Sequence, residues 1–89
     1  MDFSKYENDR PYPKWDAPLT KEERREMQRA WSARNSEIKA EFRADIEAEH
    51  GLTGHPKADK LWDMAWDYGH SAGYSEVALY YEELAELVK

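Results

Sequence analysis

The segment Pro56–Lys89, whose centre reads WDMAWDYGHSAGYSEVALYYEELAELV from Trp62 to Val88, holds most of the large apolar side chains of this chain. These side chains recur at spacings of three and four residues, which is the periodicity of an amphipathic helix. They form two neighbouring rows instead of one narrow stripe: Leu61, Trp62, Ala65, Trp66, Tyr68, Val77, Tyr80, Tyr81, Leu84, Leu87 and Val88. A helix with two apolar faces needs cover on two sides. The pattern therefore predicts a packed helical domain, but it indicates no reaction.

Two glycines, Gly69 and Gly73, interrupt this helical pattern, and each costs about 1 kcal/mol relative to alanine inside a helix. In one arrangement the helix continues to Lys89, and the glycines form a row of small residues that another backbone can approach closely. In the other arrangement the helix ends near residues 68–70 and a serine beyond that point caps a third helix. We favour a kink or break across residues 69–73. Either arrangement predicts an all-α fold, as a helical hairpin or a three-helix domain.

An earlier helix is predicted from about residue 20 to residue 50. Thr20 and Glu23 have the spacing of a capping box, and Gly51 favours the end of the helix. Its large apolar residues form one narrow stripe, typical of an antiparallel helix pair: Met27, Trp31, Ile38, Phe42 and Ile46. A turn over residues 51–55 then leads to the second helix, from about 56 to 89, with Pro56 in its first position. The helical domain thus spans residues 20–89.

Residues 1–19 form a separate segment, an extended arm in front of the helices. Three prolines, Pro11, Pro13 and Pro18, remove amide donors and disfavour a helix. The arm also holds more aromatic residues than a disordered tail usually does. We expect these aromatic side chains to dock on the helices or on a second chain, while a polyproline II segment that binds a partner is the alternative.

Composition excludes several classes of protein. The chain has 89 residues, no cysteine and a net charge of −6, so it predicts one small acidic domain without disulfides. We expect no direct contact with nucleic acid, because the basic residues of the first helix alternate with acidic ones. No run is apolar enough to span a membrane and no leader is recognisable, so we expect a soluble protein that acts in the cytoplasm.

Candidate chemistry is sparse. Asp59, Asp63, Asp67 and His70 share one face of a continuous helix, and such carboxylate and imidazole spacings occur in helical metal sites. The first helix supplies no matching motif, so a solvated acidic stripe is the simpler interpretation. A metal site using Asp63, Asp67 and His70 remains the third alternative for function. No nucleotide-binding or other cofactor motif is present. We therefore predict no catalytic residue, no metal ligand and no cofactor, and we expect that the protein is not an enzyme.

Aromatic residues exceed what two thin helices can cover, since the chain holds four Trp, six Tyr and two Phe. A large exposed apolar surface usually marks an interface, so we expect a homodimer or the binding of another protein. The residues predicted to form this surface combine aromatic anchors with small residues: Trp62, Trp66, Gly69, His70, Gly73 and Tyr74. The same residues can equally form the core of the monomer.

Two stretches of the sequence resemble a small uncharacterised accessory protein family encoded by tailed bacteriophages. The first stretch that carries the resemblance is the opening Met1–Tyr6 with the proline-rich arm. The second is the block from Gly51 to Trp62, together with the short segments Gly69-His70-Ser71 and Gly73-Tyr74-Ser75. It implies a phage or prophage origin and no catalytic residues. Its further implication is a protein that binds and modulates a factor of the bacterial host cell, or one with a structural or assembly role in a phage and no host target.

Overall fold

The computed structural model describes all 89 residues and confirms an all-α fold with three helices and no strand. Helix α1 spans Lys21–Glu49, α2 spans Ala58–Gly69 and α3 spans Tyr74–Glu86. Two short 3₁₀ turns accompany them, at Phe3–Tyr6 in the arm and at His70–Ala72 between α2 and α3. None of the three helices combines the length and apolar character that crossing a membrane requires.

Helix α1 begins at the capping box that the sequence predicts: the Thr20 hydroxyl accepts a hydrogen bond from the Glu23 amide, and the Glu23 carboxylate accepts one from the Thr20 amide. Only its second half is buried against other helices, through Ile38, Phe42 and Ile46. The first half extends beyond the three-helix body, and the molecule measures 53 × 22 × 21 Å. We call this extension, together with the arm residues 7–19 that lie along it, the projection.

A break at residues 70–72 turns the second apolar segment into a tight helical hairpin. Gly69 lets α2 and α3 approach closely, because a Cβ atom there would lie 2.6 Å from the backbone nitrogen of Val77. Gly73 precedes α3 with a φ of +106°, a conformation that side chains disfavour. Helix α2 begins at Ala58, two residues later than the sequence predicts, and the Nδ1 atom of His55 accepts a hydrogen bond from the Lys57 amide just before it.

The core lies between the second half of α1 and the α2–α3 hairpin, and the arm closes one side of it. Its fully buried side chains come from all three helices, with Phe42 and Tyr81 the largest. Tyr6 packs edge-on against Phe42 at 5.0 Å between ring centroids, and its hydroxyl donates a 2.5 Å hydrogen bond to Asp45. Lys5 pairs with the same carboxylate at 2.8 Å. The arm therefore completes the core with the Tyr6 ring, and a solvent-exposed ion pair adjoins it.

The rest of the arm lies against the first half of α1. The Asn8 side chain donates hydrogen bonds to the Trp31 carbonyl and to Asn35, both at 2.9 Å. Tyr12 contacts the Trp31 ring edge-on at 5.1 Å. Trp15 behaves differently from these docked side chains, since it is 90% exposed. The projection thus consists of the first half of α1 with arm residues packed along it, and its Trp15 side chain is exposed to solvent.

Candidate binding surface at the helix junction

A stacked row of rings runs along α2 to the first residue after it, because the i,i+4 spacing aligns Trp62, Trp66 and His70. The centroids of Trp62 and Trp66 are 5.6 Å apart, and those of Trp66 and His70 are 5.3 Å apart with planes only 13° from parallel. The row starts in the core at Trp62, which is 5% exposed, and reaches solvent at His70. Because Trp62 is buried in the core, it fixes the orientation of the row that ends at the exposed His70.

Two other helices complete this region. From α3, Tyr74 lies 6.0 Å from Trp66 and 4.7 Å from Phe42, measured between ring centroids. From α1, the Lys39 ammonium sits 4.0 Å from the centroid of the Trp66 ring, the geometry of a cation–π contact. We call the partly exposed set Lys39, Trp66, His70 and Tyr74 the junction surface, because α1, α2 and α3 meet there.

A shallow cleft of about 150 Å³ opens in the junction surface between α1 and the aromatic rings. Asn35 and Ser36 add polar groups to its wall, opposite Trp66 and Tyr74. Burial raises the pKa of the Tyr74 phenol above its ordinary value. The hydroxyl is protonated at neutral pH in either case and can both donate and accept a hydrogen bond. The cleft therefore offers apolar contact area with polar groups at its edge.

The six residues predicted for the surface have three different positions. Trp62 and Gly69 are buried in the monomer, and Gly69 serves the close approach of α2 to α3. Gly73 is exposed and sets the backbone conformation ahead of α3. The remaining three, Trp66, His70 and Tyr74, meet in the junction surface. The sequence leaves open whether the glycines admit a partner or belong to the core, and the structure uses Gly69 to admit a helix of the same chain.

The acidic residues of α2 do not converge with His70 on a metal site. Asp63 and Asp67 are exposed, Asp59 pairs with Arg43 of α1, and the Nδ1 atom of His70 lies 2.7 Å from the Trp66 carbonyl oxygen. No group of three or more His, Cys, Asp or Glu side chains is positioned to hold a metal ion. The spacing seen in the sequence thus yields an acidic stripe without a set of ligands.

Sequence reasoning missed two residues that the structure makes prominent. Lys39 belongs to α1 and comes to lie over Trp66 only in the folded chain, so no local pattern points to it. Trp15 is one of the arm aromatics that the sequence predicts to dock, yet it is the most exposed large hydrophobic residue. Its neighbours Asp16 and Pro18 favour turns, and this was the one available signal that Trp15 sits on a turn.

The fold and the junction surface together define a small three-helix domain that presents aromatic rings beside a lysine. The chain belongs to the family of unknown function DUF8546, whose model matches residues 4–89. No curated protein and no solved structure matches it.

Proposed function

We propose that this protein acts by binding another protein through the junction surface. The observation that carries the proposal is the stacked row ending at His70, with Lys39 held over Trp66 and Tyr74 beside it. Aromatic side chains that are partly buried lose little further conformational freedom on binding, and such residues dominate the binding energy of interfaces. The core fixes this set of side chains before a partner arrives, which lowers the entropic cost of binding.

The chemistry of the surface favours a partner segment that combines an apolar side chain with a carboxylate. The apolar side chain would lie against Trp66 and Tyr74, and the carboxylate would face Lys39. The resemblance to a phage accessory family supports a partner from the bacterial cytoplasm, where the protein would modulate a host factor. This assignment of the partner rests on the resemblance, and the contact surface rests on the geometry.

A structural or assembly role without a host target is the second candidate function. The elongated shape, 53 Å in its longest dimension, favours it. A rod with different chemistry at its two ends is suited to contacts between copies of one chain. In this role the junction surface would pack against another component of the assembly.

Affinity capture from a nuclease-treated bacterial lysate separates the two candidates. The bait would be the wild-type chain, a Lys39→Glu variant and a Tyr74→Ala variant, each checked for folding by circular dichroism. The Arg25→Glu variant is the matched control, because Arg25 is exposed on α1 away from the junction surface. We expect a stoichiometric host protein with the wild type and the control, and its loss with both junction variants.

The captured protein would then be purified and titrated against each variant by calorimetry. Binding that is unaffected by Lys39→Glu and Tyr74→Ala would contradict the assignment of the surface. Absence of any stoichiometric host protein, with the bait folded, would contradict host modulation and support the assembly role.

A further inference from the structure

A hydrogen-bonded turn displays Trp15 at the tip of the projection. The Ala17 amide donates a 3.1 Å hydrogen bond to the Lys14 carbonyl, which closes the turn around the tryptophan. The Arg24 guanidinium then donates to both ends of this turn, to the Lys14 carbonyl at 2.8 Å and to the Ala17 carbonyl at 3.2 Å. An indole that is 90% exposed on a backbone held in this way is a preorganised anchor.

An apolar groove lies at the opposite end of the molecule, between the start of α2 and the end of α3. It has a volume of about 280 Å³ and is lined mainly by apolar side chains: Leu61, Met64, Leu84, Leu87 and Val88, with Lys57 and Lys60 at the rim. Leu87 is 79% exposed at its mouth. A volume of about 280 Å³ exceeds that of one indole ring.

Trp15 cannot reach this groove in its own chain. The turn is bound to Arg24 in the first turn of α1, whereas the groove forms beyond the last turn, where the chain reverses after Glu49. A helix of 29 residues is about 43 Å long. Contact between the anchor and the groove is therefore possible only between two molecules.

Charge favours such a contact between two copies of this chain. The projection, residues 7–35, contains seven bases and six acids, a net charge of +1, so the other residues contain six bases and thirteen acids, a net charge of −7. An antiparallel pair places the nearly neutral projection of one copy along the acidic body of the other and keeps the two acidic bodies apart, which favours this orientation. At the contact itself, the exposed Asp16 beside Trp15 is opposite in charge to Lys57 and Lys60 at the edge of the groove.

We propose that Trp15 of one copy inserts into the Leu61–Leu84–Leu87 groove of a second copy, and that two copies pair antiparallel. Each copy then contributes one anchor and one groove, and the two identical contacts close the assembly as a two-fold dimer. The junction surface takes no part in either contact, so this proposal stands apart from the proposed function.

Sedimentation velocity over a range of protein concentrations tests the pairing. We expect the wild type to reach twice the mass of the 10.5 kDa chain. We expect Trp15→Ala and Leu87→Glu each to weaken dimerisation at least about 30-fold, the loss typical of a central anchor. Both residues are exposed in the monomer, so the variants keep their fold. Leu79→Glu is the matched control, because Leu79 is exposed on α3 outside the groove, and it should leave the dimer intact.

Mixing the two defective variants gives the sharpest test. A pair formed by Trp15→Ala and Leu87→Glu retains one intact anchor and one intact groove facing each other, so the mixture should dimerise more tightly than either variant alone. A mixture that dimerises no better than its components would overturn the proposal. A wild type that stays at 10.5 kDa at every concentration would do the same. Masses that grow beyond the dimer would overturn the antiparallel closure.

Discussion

Replacing Gly69 with alanine tests whether the hairpin of α2 and α3 depends on the close approach of their backbones. Taken alone, the substitution favours the helix by at most about 1 kcal/mol, because alanine is the better helix former and Gly69 is the last residue of α2. The added methyl group would lie 2.6 Å from the Val77 nitrogen, 2.8 Å from the Val77 Cα and 2.9 Å from the Glu76 carbonyl carbon. All three are backbone atoms, so no change of rotamer can relieve the contact.

Overpacking of a buried site costs about 1–3 kcal/mol, and contacts with backbone place this site at the upper end of that range. After the gain in helix propensity, we expect a net loss of about 2 kcal/mol in the free energy of unfolding. In a domain of this size, 1 kcal/mol corresponds to about 4–8 °C. The melting temperature of Gly69→Ala should therefore fall by about 8–16 °C, measured by circular dichroism at 222 nm and checked by urea unfolding.

Asp67→Ala is the control for this experiment, because Asp67 lies exposed on the same helix. Its free energy of unfolding should change by no more than about 0.5 kcal/mol. A Gly69→Ala protein as stable as the wild type would refute the reasoning, since it would mean that α2 and α3 can separate at little cost.

Three further predictions concern the tyrosines and the tip of the projection. The Tyr81 hydroxyl is buried without a hydrogen-bond partner, so Tyr81→Phe should leave the free energy of unfolding unchanged or raise it by about 1 kcal/mol. Tyr6→Phe removes the hydrogen bond to Asp45 and should lower the free energy of unfolding by about 1–2 kcal/mol. Burial raises the pKa of both Tyr6 and Tyr81 from 10.0 to about 12. Because the folded state favours the neutral phenols, their contribution to the free energy of unfolding is complete below pH 10 and is lost as the pH rises from 10 towards 12. Arg24→Ala should speed hydrogen exchange at the Ala17 amide, measured by mass spectrometry or NMR.

Each of these predictions has its own control. A Tyr81→Phe variant that loses more stability than Tyr6→Phe would contradict the assignment of their hydrogen bonds. In urea titrations from pH 9 to 12, the double Tyr→Phe variant should lose less stability than the wild type; equal losses would contradict the link to these two phenols. For Arg24→Ala, exchange at Ile46 in the core should not change, and an unaltered rate at Ala17 would show that the turn does not need the guanidinium.

Local sequence was sufficient for the helices and for the position of the arm. The capping box at Thr20 depends on residues three apart, and the start of α1 could be predicted from these alone. The break between α2 and α3 lies where Gly69 and Gly73 interrupt the apolar pattern. The prolines keep residues 7–19 free of helix for equally local reasons, although Phe3–Tyr6 ahead of them form a 3₁₀ turn. Each of these features is decided by neighbours in the chain, so its energetic origin can be recognised in the sequence.

The division of the aromatic residues between core and surface was not predictable in this way. Trp62 and Trp66 are four residues apart with the same periodicity, yet one is buried and the other borders the cleft. Tyr12 contacts the Trp31 ring although it is 57% exposed, while Trp15, three residues later, is 90% exposed. Hydrophobic periodicity identifies the apolar face of an element, but it does not specify which other element covers that face.

The candidate binding surfaces belong to the tertiary structure for the same reason. The sequence alone established an all-α chain with two apolar faces in its second half, an aromatic arm and a net negative charge. Only the packing of α1 on the hairpin brings Lys39 over Trp66, and only the length of α1 separates Trp15 from the groove at Leu87. Contacts between residues far apart in the chain depend on how whole helices pack, and burial at those contacts decides which side chains remain available to a partner.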